Sequence, residues 1–212
     1  MQDDLNDYIS AHISPEPALL TETYRHTNLY HLYPRMCSGH VQGRFLKMLT
    51  AMIAPRRVLE IGTFTGYATL CLAEGMSEGG ELHTLEIDDE LEDELLDRFG
   101  RSDYADRISL HIGDALELIE PVSRGREWDL VLIDANKRLY CDYFRRVWPH
   151  VRRGGYVLAD NTLWDGKVIE QPVPADAQTR GIMAFNDMAA ALPDSELTIL
   201  PLRDGLTIIR KL

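Results

Sequence analysis

From Arg57 onward, short apolar runs alternate with longer helix-like segments, and this alternation restricts the fold more than any other feature of the chain. The runs are RVLEIG (57–62), ELHTLEID (81–88), RISLHIG (107–113), WDLVLID (128–134) and GYVLAD (155–160). Rich in Val, Leu and Ile and ending in glycine or an acid, they read as strands buried on both faces. Residues 67–76, 89–100, 114–123 and 138–152 between them read as helices. Repeated strand–helix–strand units require right-handed crossovers, hence a parallel sheet with helices on both faces. The C-terminal LTILPLRDGLTIIRKL breaks the rhythm, with two β-rich runs around Arg203-Asp204-Gly205. Asp-Gly between such runs signals a hairpin. The expected fold is α/β and Rossmann-like: a seven-stranded, mostly parallel sheet with a C-terminal antiparallel hairpin at one edge. Residues 2–54 read as extra N-terminal helices broken at Pro15, Pro17 and Pro34. Within them GHVQGRFLKMLTAMI (39–53) predicts an amphipathic helix with Val41, Phe45, Met48, Leu49 and Met52 on one face. A length of 212 residues suits one domain, a helical cover (1–54) on a ligand-binding core (55–212).

The net charge is −12. A surface that acidic repels phosphodiester backbones and membranes at long range, which disfavours nucleic acid as the main ligand. Local basic patches remain at Arg56-Arg57, Arg145-Arg146 and Arg152-Arg153. No apolar run approaches the ~20 residues that span a bilayer. The opening MQDDLNDYIS lacks a signal-peptide plan, so a cytoplasmic protein is expected. Cys37, Cys71 and Cys141 are far apart, with no CxxC, and read as reduced thiols. The seven histidines form no HxxxH pair, so no zinc site is expected from them.

The strand ends carry the chemistry. Gly62 and Gly66 bracket a loop that opens a helix, yet GxGxxG and GK[ST] are both absent. That disfavours a nicotinamide oxidoreductase. Glu60, inside the first strand, suits a ligand bearing an ammonium or sulfonium. Glu86 lies 24 residues after Gly62, where an acid hydrogen-bonds a ribose diol. Asp114, after the third strand, can accept from an adenine amino group. Each also has a purely structural reading as tight packing or a helix cap. In order at successive strand ends, they point to a nucleoside-type ligand. Asp134 and the pair Asp160-Asn161 end two further runs. If those strands are neighbours, ~4.8 Å apart, two carboxylates and an amide oxygen converge. Such a hard oxygen set suits Mg²⁺ first, or Mn²⁺ or Ca²⁺, and without a cation the carboxylates repel. Lys137 follows closely. Beside a divalent cation its pKa would fall, making it a candidate base.

LEIGTFTGYATLCLAEG resembles the first motif of class I S-adenosylmethionine-dependent methyltransferases. Together with IDANKRLY and LADNTLWDG, the stretch from about PRMCSGHVQGRFL to DGLTIIRK is similar to the metal-dependent catechol and caffeoyl-CoA O-methyltransferase family. The resemblance implies S-adenosylmethionine as methyl donor, Asp134, Asp160 and Asn161 as ligands of a divalent cation, and Asp134 and Lys137 as the catalytic pair. It places Met36, Ser38, Gly62, Thr63, Tyr67, Ile87 and Ala115 at the cofactor alongside Glu60, Glu86, Asp114 and Asp134. Trp164 would wall a planar acceptor, or else pack in the core. The acceptor implied is a small vicinal-dihydroxy aromatic, catechol-like or caffeoyl-type. Methylation of a hydroxylated uridine in tRNA is the alternative within the same plan, and a non-catalytic nucleoside-binding protein is a third reading. The intact Asp134/Lys137/Asp160/Asn161 set argues against the last. Relatives are commonly dimers, and apolar residues of the N-terminal helices suit a homodimer. Tyr24, Arg25, His26 and Tyr30 in the cover carry no assigned role.

Overall fold

Five parallel strands form the centre of the computed structural model, which describes residues 2–212: β1 (Arg57–Ile61), β2 (Glu81–Glu86), β3 (Ile108–Ile112), β4 (Trp128–Ile133) and β5 (Val151–Asp160). β6 (Ser195–Leu200) and β7 (Leu206–Lys211) form the expected hairpin, with β7 antiparallel to β5 and β6 at the edge. The strand order is β3-β2-β1-β4-β5-β7-β6. From β1 the chain winds outward to β3 and then returns to β4 on the other side. The crevice at that reversal, beyond the strands' carboxyl ends, is where such sheets bind ligands.

Period-two alternation sends each strand's side chains to two cores. Leu59, Ile61, Val131, Ile133, Val157 and Ala159 face α6 (Ala115–Ser123), α7 (Tyr140–Val147) and α8 (Ala177–Ala190). Val58, Leu82, Leu130, Leu132 and Leu158 face α3 (Gly39–Ile53), α4 (Tyr67–Gly75) and α5 (Glu92–Gly100). Each fully buried Leu, Ile or Val contributes about 1.5–3 kcal/mol, which holds the layers in register. α1 (Gln2–His12) and α2 (Ala18–Tyr30) complete the cover.

Three expectations need correction. The helix expected over 138–152 ends at Val147, where Trp148-Pro149-His150 makes a tight turn that proline cannot continue as α-helix. β5 therefore begins at Val151, with a register shift before Tyr156 near Gly154 at φ +74°. α8 had no counterpart in the sequence reading; its start is fixed by the Asp176 side chain accepting from Thr179 N at 2.8 Å. Finally, α3 buries Gln42, Gly43, Arg44, Leu46 and Thr50, while Met48 and Met52 are exposed. Its inward face is partly polar, so apolar spacing picked the wrong side.

Two features of β1 shape the site above it. Gly62 has φ +101°, and a Cβ there would sit 2.0 Å from Asp134 O. Only glycine lets the β1 loop lie against the end of β4. Glu60 is fully buried on the α4 side and accepts from the Thr69 and Thr84 hydroxyls, at 2.5 and 2.6 Å. Its Oε1 has no partner. Burial, opposed by the two threonines and reinforced by Asp134 and Glu86, pushes its carboxyl up to about 8.

Gly62→Ala should cost at least ~3 kcal/mol in denaturant unfolding, from strain plus backbone collision. Gly79→Ala, at φ +69° with nothing within 4 Å, should cost only ~1 kcal/mol; equal losses would refute the close-approach argument. Glu60 makes a pH prediction. Above about pH 4.5 the unfolded carboxyl ionises while the folded one keeps its proton, so stability falls as pH rises, until about pH 8. Thermal melts from about pH 5 to about pH 9 should fall less steeply for Glu60→Gln than for the parent chain. Parallel curves would rule Glu60 out as the source.

Candidate active site

Asp134 continues directly from β4, with its N–H bonded to Ile61 O at 2.9 Å. Asp160 is the last residue of β5. Ile133 is paired in register with Ala159, so the next residues, Asp134 and Asp160, leave neighbouring strands at one level. Asp160 is only 4% exposed. Its carboxylate accepts from Gln42 Nε2 at 2.6 Å and from Asn161 N at 2.8 Å. Burial first, then the charge of Asp134, push its carboxyl up to about 6, against the pull of Gln42, Lys137 and the Asn161 N–H. Asn161 adopts φ +59°, a left-handed conformation that Asn tolerates, and the chain turns there.

Lys137 is buried, and its Nζ donates to Asp134 Oδ1 and to Tyr140 Oη, each at 2.8 Å. Tyr140 Oη donates in turn to Asp160 O at 2.9 Å. One lysine and one tyrosine thus tie the two strand ends together. Burial alone would lower the Lys137 pKa, but the Asp134 and Tyr140 contacts outweigh it and raise the pKa well above the usual lysine range. The depression expected beside a divalent cation is a separate case: here the Asp134 carboxylate at 2.8 Å favours the ammonium. α8 braces the same turn, since a Cβ on Gly181 would lie 2.4 Å from Lys137 O.

The nucleoside end lies across the crevice. Glu86 is buried and accepts from the backbone N–H groups of Phe64, Ile87 and Asp88 at 2.6, 2.9 and 3.0 Å. The Gly62–Gly66 loop is thereby clamped to the end of β2, with the Thr63 hydroxyl bonded to that of Thr84 at 2.5 Å. Asp114 is exposed and caps α6 through Leu116 N at 2.8 Å; Ala115 behind it is buried. Ile87 and Met36 are exposed, and Ser38 is buried at the start of α3. Tyr67 is buried, and its hydroxyl donates to Glu16 between α1 and α2. Glu60 lies beneath this surface and does not line it. Trp164 is half-buried against the α6–α8 core, with the Lys167 ammonium 5.6 Å from its ring.

The sequence reading missed Gln42, Tyr140 and Gly181. Tyr140 sits three residues after Lys137, one helical turn on, and that spacing was a usable signal. The others act only through tertiary contacts. His26, His31 and Glu94 also meet, without any HxxxH spacing to mark them, but Arg98 already pairs with Glu94 at 2.8 Å. The group reads as an ion pair fastening α2 to α5. Arg56, Arg57 and Arg152 line a cleft of about 480 Å³ at the start of β1, the end of the sheet away from this site. There Arg57 pairs with Glu81 at 3.1 Å and Arg152 with Asp129. Arg145 pairs with Asp142 at 3.2 Å. These arginines build no basic rim around the strand ends, so nothing in them favours tRNA.

No described helix is long and apolar enough to cross a membrane. Comparison with known proteins gives a consistent result. A family model described as O-methyltransferase matches residues 9–212. Caffeoyl-CoA O-methyltransferase 1 of Eucalyptus globulus is 32% identical over 210 residues, covering 93% of this chain and 82% of the relative. Caffeoyl-CoA O-methyltransferase 1 of Arabidopsis thaliana is 29% identical over 223 residues, covering 99% and 85%. Among solved structures, the O-methyltransferase TomG of Streptomyces achromogenes, in complex with SAM, superposes with a TM-score of 0.90 at 28% identity, covering 98% of this chain and 96% of that one. A Bacillus cereus O-methyltransferase in complex with SAH gives 0.90 at 29%, covering 98% and 97%. With the family model spanning nearly its whole length, this chain belongs to the O-methyltransferase family.

Proposed function

We propose that the chain transfers a methyl group from S-adenosylmethionine to one hydroxyl of a small aromatic acceptor with two vicinal oxygens, using a divalent cation held by Asp134, Asp160 and Asn161. One observation carries the reading: Asp134 and Asp160 leave adjacent strands in register, with Lys137 Nζ 2.8 Å from the first. The donor set fits a hard cation. All three ligands offer oxygen, and the Asp134 charge, which adds to burial in pushing Asp160 up to about 6, is a repulsion that a cation relieves. Mg²⁺ is the first candidate, then Mn²⁺ or Ca²⁺. When bound there, the cation would supply Lewis acidity that lowers the pKa of an acceptor hydroxyl.

The residues of the chain then have definite tasks. Lys137 presents an ammonium beside Asp134, where an acceptor oxygen developing negative charge gains a donor. Beside a bound divalent cation its pKa would fall, which would let it also accept the hydroxyl proton as a base. Tyr140 holds that ammonium in place. Glu86 has two carboxylate oxygens at the loop to receive a ribose diol, and Asp114 keeps one oxygen free of its capping bond for an adenine amino group. Gly62, Thr63, Tyr67, Ile87 and Ala115 border the same space, and Met36 and Ser38 close it. Trp164 offers a flat wall to a planar acceptor. The enzyme's main contribution is positioning the two reactants in line. The caffeoyl-CoA O-methyltransferase relatives support a small aromatic acceptor. Exposed Met48 and Met52 on α3 leave an apolar strip that a second copy would cover.

The deciding assay is label transfer from S-adenosylmethionine to a panel of catechols, with undermodified tRNA in parallel, each with Mg²⁺ and with EDTA. Label is expected in the catechols only with metal; label in tRNA alone would overturn the acceptor reading. Asp134→Ala and Asp160→Ala should abolish transfer while leaving thermal unfolding cooperative. Lys137→Ala should lower kcat by about 10²–10³. A metal-stripped double variant with full activity would end the proposal. Light scattering should return twice the chain mass, and the Met48→Lys/Met52→Lys variant a single mass; a parent chain of single mass would refute the dimer.

A further inference from the structure

Arg203 lies in the turn between β6 and β7 at φ +50°, a conformation disfavoured for any residue with a Cβ. Its guanidinium reaches four acceptors through its two terminal nitrogens. Nη1 donates to Cys37 O at 2.9 Å, to Ser38 O at 2.5 Å and to Gln42 Oε1 at 3.1 Å, and Nη2 donates to Arg35 O at 3.1 Å. These acceptors belong to one stretch, the Arg35–Ser38 segment and the first turn of α3. Gln42 is buried, and its other end donates to Asp160 Oδ2 at 2.6 Å. An amide can be turned either way, and the donor on Oε1 decides it. With Arg203 on Oε1, Nε2 faces Asp160; the reverse orientation would set oxygen against oxygen.

We propose that Arg203 is a positioning residue serving both halves of the site. Directly, it holds the Arg35–Ser38 segment over the methyl donor. Through Gln42, it fixes the rotamer of the Asp160 carboxylate. The hairpin turn thereby couples closure over the donor to the geometry of a cation ligand. The inference rests on the reading of Ser38 and Asp160 given above. It extends that reading to a residue more than 40 positions further along the chain than Asp160, in the turn between β6 and β7.

The φ value supplies a clean test. Arg203→Gly removes the guanidinium and relieves the backbone at once, so the variant should fold at least as well. Arg203→Lys keeps the charge without the fork. Gln42→Leu cuts only the branch to Asp160. Calorimetry with S-adenosylhomocysteine and Mn²⁺ titration followed by electron paramagnetic resonance read the two branches separately. Arg203→Gly should weaken S-adenosylhomocysteine binding about tenfold, the scale of one lost charge-assisted contact, with Arg203→Lys in between. It should also weaken Mn²⁺ binding several-fold, with an unchanged or higher thermal midpoint. Gln42→Leu should weaken Mn²⁺ binding alone. In turnover, Arg203→Gly should raise KM for the donor by a larger factor than it lowers kcat. Parent-like binding of both ligands by Arg203→Gly would overturn the inference and leave the methyltransferase reading standing. So would a fall in thermal midpoint that tracks both affinities, since that marks a purely structural strap. A parent chain that binds neither ligand would remove both readings.

Discussion

Two carboxylates on neighbouring strands at one level are the constraint around which this protein is arranged. Parallel pairing of β4 with β5 puts Asp134 beside Asp160 whatever the rest of the chain does. In a half-dry crevice that juxtaposition is costly, and the surroundings are built to offset it. Lys137 stands on one acid, Gln42 and the Asn161 N–H on the other, and Tyr140 bridges the backbone beneath them. Gln42, the Asn161 N–H and the Lys137–Tyr140 pair come from three different segments. The site is therefore a meeting of the cover, two strand ends and the turn before α7, and not a property of one motif.

The same logic explains what could be read from the chain. Parallel strands buried on both faces leave a signal of unbroken apolar runs, so five strands and their order of use were legible from Val58 to Asp160. Strand ends are also legible, because acids in order at successive strand ends of a parallel sheet fall along one edge, although each alone reads equally as a helix cap. Asp134, Asp160, Asn161 and Lys137 were found that way. What escaped depends on which neighbour a face meets. α3 looked amphipathic toward Met48 and Met52, yet it turns Gln42 and Arg44 inward, because Asp160 and Glu74 wait there as partners. No periodicity encodes a partner that distant in sequence. The raised pKa of Lys137 is likewise a matter of two 2.8 Å contacts, to Asp134 and Tyr140.

Glu60 shows a different division of labour. Its spacing suggested a group that greets the ligand, but β1 turns it down into the α4 core, where two threonine hydroxyls receive it. A neutral acid there leaves the negative potential of the crevice to Asp134, Asp160 and Glu86. Charge is kept where it can be used, and the strand beneath carries a proton in its place.

Gly181 draws out one more consequence. It touches no reactant, lies on a helix with no sequence signature, and matters because its missing side chain lets α8 rest on the carbonyl of Lys137. Tolerance to mutation along this chain will then follow contact with the braced turn as well as proximity to chemistry. A side chain added at a silent helix position can therefore disturb the site by displacing the turn that carries its lysine, with no change to any reacting group.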